Sequence, residues 1–251
     1  MYHDKAVKYW DCRETAKNYV TASSLLAGFS FASIFLLLDG PASTGVTNDL
    51  LNQTSTAFLI GFFGCIISMF NYSIISGEGE LTPRVYNLML IAGSNFTLSG
   101  LFLFWGLIPF FRLHGNILSA NLSIWIFCIA ILFIVMFLIF SALDNIILLN
   151  GENMNYQTVK ASSKISLLTI PTLPIIISII IKQFIPVITD SILANYPTFL
   201  FGLLIFLSIG GIITGIVTHL GNDFKLSHSK SIIWLTTHTT AFGILIILIP
   251  N

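Results

Sequence analysis

The chain has 251 residues, of which 55% are hydrophobic and only 9% charged, and its mean hydropathy is +0.89. A soluble domain carries about 25% charged residues, so this composition excludes a soluble enzyme, a secreted disulfide scaffold and a disordered chain. Eleven Lys and Arg residues balance eleven Asp and Glu residues, which leaves no basic excess to bind nucleic acid. We therefore expect an integral membrane protein whose main partner is the lipid bilayer.

Seven runs free of Asp, Glu, Lys and Arg divide the chain. A membrane-spanning helix needs about 20 mainly apolar residues. Six runs reach that length, and the fifth reaches it if the side chain of Lys182 extends to the headgroups. The sequence predicts an all-α polytopic protein in which residues 1–251 form a single membrane domain, with seven transmembrane helices at about 18–38, 56–76, 85–111, 118–143, 165–185, 198–219 and 231–250.

Basic residues are distributed unequally over the connections. Nine of the eleven lie in the N-terminal segment and the even-numbered connections, and only Arg112 and Lys182 lie in the odd-numbered ones. Because basic residues concentrate in cytoplasmic loops, the bias predicts a cytoplasmic N-terminus and an outside C-terminus, in a plasma or inner membrane. G-protein-coupled receptors have the opposite orientation, and the last span has no lysine for a retinal Schiff base, so both classes are excluded.

Residues 1–17 form a predicted polar cytoplasmic helix that leads into the first span. Asp4 and Lys8 lie four residues apart, in the order that favours an ion pair on a helix. Such a segment can dock a cytoplasmic protein partner or form a pore vestibule. The favoured explanation is an interfacial anchor with Tyr9, Trp10 and Tyr19 at the headgroups.

Small residues recur at four-residue spacing in three of the spans. These faces consist of Ser24, Gly28 and Ala32 in the first span, Ala57, Gly61 and Cys65 in the second, and Gly211 and Gly215 in the sixth. Small residues let two helices approach closely. The faces predict helix packing within the chain or contacts between subunits of a homo-oligomer.

The segment SSLLAGF, from Ser23 to Phe29, is similar to the start of the first helix of Orai-type calcium channels. The plan of the first four spans resembles that family as well, with a basic lead-in, four spans and a fourth helix that runs on into the cytoplasm. The resemblance implies a ring of subunits in which one stripe of the first span lines a pore. Matching the motif gives that stripe as Thr21, Leu25, Phe29, Ala32 and Leu36.

The chain departs from the Orai pattern at several positions. Leu36 stands where the family has its filter glutamate, and Thr21 stands at the basic position of the inner end. The nearest acid is Asp39, at the outer mouth, and three further spans follow. Calcium selectivity therefore does not follow from the resemblance.

Two later features are candidates for a transport site. Asp144 follows the fourth span, and an acid at membrane depth indicates function, although a helix that continues beyond the membrane explains it equally. Pro171 and Pro174 free backbone carbonyls in the fifth span. Transporters use such interrupted helices as substrate or ion sites near the middle of the membrane. The alternative is a plain kink whose freed carbonyls find partners on neighbouring helices.

Three residues near the last two spans have side chains that can ligate a metal ion, namely His219, Asp223 and His238. They raise the alternative of a membrane-embedded metal-dependent hydrolase. Seven-span zinc hydrolases, however, need paired histidines and acids on other helices, a pattern that this sequence lacks. Loop polar residues and one packing histidine explain the sequence without a metal, and we expect no cofactor.

The connections are too short for a soluble catalytic domain, and the chain has no phosphate-binding loop or nucleophile motif. The leading expectation is a homo-oligomeric channel, pore or transporter of an ion or small solute. The alternatives are a non-transporting membrane subunit or scaffold that holds a partner complex, and the metal-dependent hydrolase.

Overall fold

The computed structural model describes residues 11–39, 48–79, 82–149, 160–185, 196–221 and 227–249, with side chains for all of these except 38, 39, 48, 144–149, 214, 215 and 218. The described residues form seven helices: α1 (Cys12–Asp39), α2 (Asn48–Ser76), α3 (Pro83–Leu113), α4 (Ile117–Leu149), α5 (Ala161–Phe184), α6 (Tyr196–Thr218) and α7 (His228–Ile247). All seven are long and apolar enough to cross a membrane. The prediction of seven apolar helices is thus confirmed, while the orientation of the termini stays a prediction.

Local hydrogen bonds explain why α1 begins at Cys12. The Asp11 carboxylate accepts the backbone N–H of Arg13 at 2.9 Å, as an N-cap does. The Arg13 guanidinium also hydrogen bonds this carboxylate, 3.2 Å away, and so holds the pKa of Asp11 below its usual value. A further Arg13 nitrogen donates to the carbonyl of Gly79 at 2.8 Å. The start of α1 is therefore tied to the α2–α3 connection.

The central helix of the fold is α3, which packs against α1, α2, α4, α6 and α7. Of its 31 residues, 19 are buried, including Phe102 and Trp105 in the main apolar core. Five of the other six described helices thus pack around it, whereas α5 packs chiefly on α7. Because α3 is enclosed on nearly every side, its polar residues face other helices instead of lipid.

Glycines allow the close packing of α2 with its neighbours. A Cβ on Gly61 would overlap the Leu103 side chain of α3, and a Cβ on Gly106 would lie 2.9 Å from the Phe58 ring of α2. On the α6 side, a Cβ on Gly211 would lie 2.7 Å from Ile67. Any larger residue at these positions would push the helices apart.

The outer surface is strongly apolar. Exposed Phe, Leu, Ile and Trp side chains cover the outward faces of the helices, most densely on α4 and α5. A continuous apolar surface of this kind needs lipid or another protein chain around it instead of water. The surface therefore agrees with a chain embedded in a bilayer.

A charged clamp joins three elements at the end of the bundle where α1 begins. Arg84 at the start of α3 donates to the carbonyl of Leu220 beyond α6 at 2.9 Å and to the Glu78 carboxylate at 2.7 Å. The Arg84 and Glu78 side chains are only 14% and 18% exposed. The guanidinium thus satisfies a carbonyl that α6 leaves unpaired at its C-terminal end.

At the opposite end, Lys182 of α5 performs a similar role for α7. Its ammonium donates to the carbonyl of Ile249 at 2.6 Å. This lysine therefore does not interrupt the fifth span, because α5 continues past it to Phe184.

We expect Arg84→Met to lower the free energy of unfolding by about 2 kcal/mol, because partly buried hydrogen bonds to a charged group contribute about 1.5–3 kcal/mol each and one partner stays unpaired. Denaturant unfolding in detergent micelles measures the change. Lys17→Met is the control, because the Lys17–Glu14 pair is largely exposed and contributes little. Equal losses in both variants would contradict a stabilising clamp.

Candidate functional site

Buried polar side chains gather where α3, α6 and α7 meet. Ser94 and Asn95 of α3 and His238 of α7 are completely buried. Trp234 of α7 and Gly210 of α6 complete the group, which we call the polar centre. His238 lies midway along α7, about 15 Å from its first residue. The polar centre thus sits deep inside the bundle.

Two hydrogen-bonded pairs connect α3 to α7 in the polar centre. The indole N–H of Trp234 donates to the Ser94 hydroxyl at 2.7 Å, and that hydroxyl donates to the Ile91 carbonyl at 2.9 Å. His238 Nε2 lies 3.2 Å from Asn95 Oδ1, while His238 Nδ1 lies 3.0 Å from the Trp234 carbonyl. The two helices are therefore joined by polar contacts at two successive levels.

The carbonyl of Trp234 fixes the proton positions on His238. A carbonyl only accepts, so Nδ1 carries a hydrogen and donates to it. In a neutral imidazole Nε2 is then an acceptor, and it needs a donor from Asn95. Rotating the Asn95 amide by 180° supplies one, since it brings Nδ2, which has no partner among the described residues, to Nε2.

A second arrangement satisfies the same pair when His238 is doubly protonated. Both ring nitrogens then donate, Nδ1 to the Trp234 carbonyl and Nε2 to Asn95 Oδ1. The two arrangements differ by one proton and by the orientation of one amide. Either protonation state of His238 therefore leaves each of its ring nitrogens with a hydrogen-bond partner.

Residues of α6 enclose the pair. A Cβ on Gly210 would overlap the Asn95 amide, so only glycine leaves room for it. One turn earlier, the Phe206 ring packs edge-on against the His238 ring, with centroids 4.8 Å apart. On the other side, the Trp234 ring lies 4.6 Å from the same imidazole. The rings of Phe206 and Trp234 therefore each pack against the His238 imidazole.

An open groove of about 590 Å³ lies outside Phe206, between α5, α6 and α7. We call it the threonine groove, since Thr198, Thr236, Thr237 and Thr240 line it. The hydroxyls of the three α7 threonines donate to carbonyls of their own helix. Phe206 belongs both to this groove and to the wall of the polar centre, so its ring separates the two.

The pore stripe inferred from the Orai resemblance faces outwards. Thr21, Leu25 and Ala32 are exposed, and the exposed fractions of Phe29 and Leu36 reach 68% and 72%. Ser24 and Gly28 are exposed too, and no atom lies within 4 Å of a Cβ placed on Gly28. The small face of the first span therefore does not pack against any other part of the chain that the structure describes. Instead, α1 buries Ser23, Ala27, Ser30 and Leu37.

The other sequence-derived transport candidates are not gathered in one place. The α4 helix continues through Asp144 to Leu149, and α1 ends at Asp39, but both carboxylates lie outside the described side chains. Pro171 is buried and Pro174 half-buried within an uninterrupted α5. The Pro174 carbonyl lies 3.1 Å from a Cβ placed on Gly243, so this part of α5 packs directly on α7.

The potential metal ligands are separated. Asn95 contacts His238 and also lies against Gly210, so these two residues are at the same height in the bundle. His219 is exposed and lies nine residues after Gly210, which is about 13 Å further in the direction of α6. Asp223 lies outside the described residues, and Gly215 is described only by its backbone. No three His, Cys, Asp or Glu side chains in the described ranges are grouped as a metal site.

Sequence reasoning missed Ser94, Asn95 and Trp234 as site residues. The signal was present in the third span, where Asn87, Ser94, Asn95 and Ser99 interrupt an otherwise apolar run. All four are buried. Polar amides inside a charge-free span are expensive to bury in lipid, so they indicate contacts with other helices.

Comparison with known proteins gives no relative from which a function can be transferred, since no protein family, curated protein or solved structure matches the chain.

We expect Gly210→Ala to destabilise the fold by about 1–3 kcal/mol, because the new methyl group overlaps the Asn95 amide. Adding Asn95→Ala removes the overlap, so the double variant should be more stable than the sum of the single changes predicts. Gly202→Ala on the same helix is the control, since nothing lies within 4 Å of its Cβ position. Additive effects in a denaturant-unfolding cycle would contradict this packing.

Proposed function

We propose that the chain transports an ion or a small polar solute, and that the polar centre is its transport site. The observation that supports this is the Asn95–His238 pair, which is fully buried at mid-span and whose contacts suit either a neutral or a protonated imidazole. Apolar side chains would fill this space without the cost of burying polar groups. Ionisable residues inside a bundle of spans are typical of proton and solute pathways.

The surrounding residues give this site a route of access. Phe206 both lines the threonine groove and contacts His238. Rotation of its ring connects the groove to the imidazole. A solute that hydrogen bonds the Asn95 amide then competes with His238 for it, so solute binding and proton binding are linked at one amide.

Flux measured across liposomes that contain the purified chain tests the proposal. We expect His238→Phe, which keeps the aromatic volume but removes both nitrogens, and Asn95→Leu to lower the flux by about tenfold or more, equivalent to about 1.4 kcal/mol. His238→Gln keeps a hydrogen-bonding group without a titratable ring, so any remaining flux should lose its pH dependence.

The matched control is Thr169→Val, which changes an exposed α5 hydroxyl that bonds only its own helix and does not line the threonine groove. Thermal unfolding verifies that each variant is folded. Normal flux in folded His238→Phe and Asn95→Leu would show that the polar centre serves helix packing and not transport. Wild-type protein without flux under any ion or voltage condition, but with a stably bound partner, would favour the membrane-subunit alternative.

A second candidate is a pore formed by a ring of subunits around the exposed stripe of α1. The specific observation is that Phe29, Ala32 and Leu36 lie on a face that none of the seven described helices covers, next to the open Gly28 position. Such a pore, uncharged along the stripe, would gate by dewetting. Each subunit would then contribute α1 to the centre of a homo-oligomer.

Conductance recordings separate this candidate from the first. If α1 lines a pore, Leu36→Glu should raise cation selectivity and Phe29→Ala should raise the leak, whereas Phe201→Ala, on an equally exposed α6 position, should change neither. Unchanged conductance in both α1 variants, or a monomeric mass in detergent, would contradict a pore lined by α1.

A further inference from the structure

A second cavity lies on the other side of α3. It encloses about 250 Å³ between α3 and α4 and is closed by residues of α1 and α2. Its walls are mainly apolar and aromatic, and they include Tyr19, Tyr72, Gly93, Phe96, Phe133 and Phe137. We call it the tyrosine cavity. It shares no lining residue with the polar centre or the threonine groove.

Tyr72 presents a buried hydroxyl to this cavity. Its side chain is only 1% exposed, and its ring stacks on Tyr19 with centroids 4.9 Å apart. The Phe96 ring meets it edge-on at 5.9 Å. The hydroxyl lies 3.7 Å from the position that a Cβ on Gly93 would take, across the cavity wall. No group in the described ranges hydrogen bonds this hydroxyl.

The cavity opens sideways between α3 and α4. Phe133 and Phe137 on the α4 side of the lining are exposed by 73% and 44%, so the opening faces the outer apolar surface. A ligand therefore enters from the hydrocarbon phase instead of from water. The apolar lining disfavours charged ligands, because a charge moved into it would lose its hydration without gaining a partner.

The lining also discriminates among apolar ligands. A lipid acyl chain offers no acceptor to Tyr72, so the hydroxyl would stay unsatisfied beneath it. A ring with a carbonyl oxygen supplies both the acceptor and a flat face for Phe96 and Tyr19. A dry apolar cavity of about 150 Å³ holds one benzene ring, so 250 Å³ accommodates a substituted or fused ring.

We propose that the tyrosine cavity binds a bilayer-dissolved ring compound that carries a carbonyl oxygen, such as a quinone head group, and that the Tyr72 hydroxyl donates a hydrogen bond to this oxygen. The site is independent of the transport proposal, because it uses other residues and a different face of α3.

Equilibrium binding to the full chain in lipid nanodiscs tests the site, with empty nanodiscs to subtract partitioning into lipid. The two probes are 2-methyl-1,4-naphthoquinone and 2-methylnaphthalene, which share a ring system but differ in the carbonyl oxygens. We expect saturable binding of both, with the quinone bound about tenfold more tightly through the Tyr72 hydrogen bond.

Two variants distinguish the contribution of the Tyr72 hydrogen bond from that of the cavity volume. Tyr72→Phe should lower quinone affinity to that of the hydrocarbon and leave the hydrocarbon unchanged. Gly93→Leu should fill the cavity and abolish binding of both probes. The controls are Tyr196→Phe, outside the cavity, and Gly100→Leu, on an α3 position with open space around it.

These measurements distinguish a ligand site from a cavity that is filled by lipid or water. Quinone binding that survives Tyr72→Phe unchanged would overturn the hydrogen bond, and binding that survives a folded Gly93→Leu would overturn the location. Absence of saturable binding of either probe would mean that water or lipid fills the cavity, which overturns the proposal.

Discussion

The contact of the Asn95 amide with Gly210 and His238 sets how α3, α6 and α7 fit together. In a bilayer, lipid tails are as apolar as the helix surfaces, so close packing and interhelical hydrogen bonds provide much of the association. Glycine at 210 lets α6 approach until its backbone meets the amide, and His238 takes up the other side of the same group. One amide therefore fixes the relative height of three helices, and the second contact, from Trp234 to Ser94, keeps α7 in the same register.

Three of the scarce charged side chains act at the ends of helices. Arg13, Arg84 and Lys182 each donate to a backbone carbonyl beyond the end of another helix, at Gly79, Leu220 and Ile249. Such carbonyls have no partner within their own helix, and near the hydrocarbon boundary water is too scarce to replace one reliably. For Arg84 and Lys182 this placement explains their positions beside apolar runs of the sequence, because each closes the end of a neighbouring helix.

The seven helices were predictable because each needs a long run without charge, and that property belongs to a local stretch of sequence. The partners of each helix were not predictable, since small faces such as Ser24–Gly28 and Gly61 look alike in sequence although the first is open and the second packs on Leu103. His238 was noticed as a metal ligand, but its actual neighbour, Asn95, is 143 residues away along the chain. Only the three-dimensional arrangement pairs an amide in the third span with an imidazole in the seventh.

The two internal sites meet at a single turn of α3. Gly93, Phe96 and Thr97 face the tyrosine cavity, whereas Ser94 and Asn95 face the polar centre. Successive residues of a helix point about 100° apart, so one turn presents both faces while its backbone moves as one unit. A shift or rotation of this turn that made room in the cavity would alter the Asn95–Gly210 contact on the other side, where there is no free space to absorb it. Because packed interiors resist gradual deformation, this turn of α3 couples the space available on its two faces.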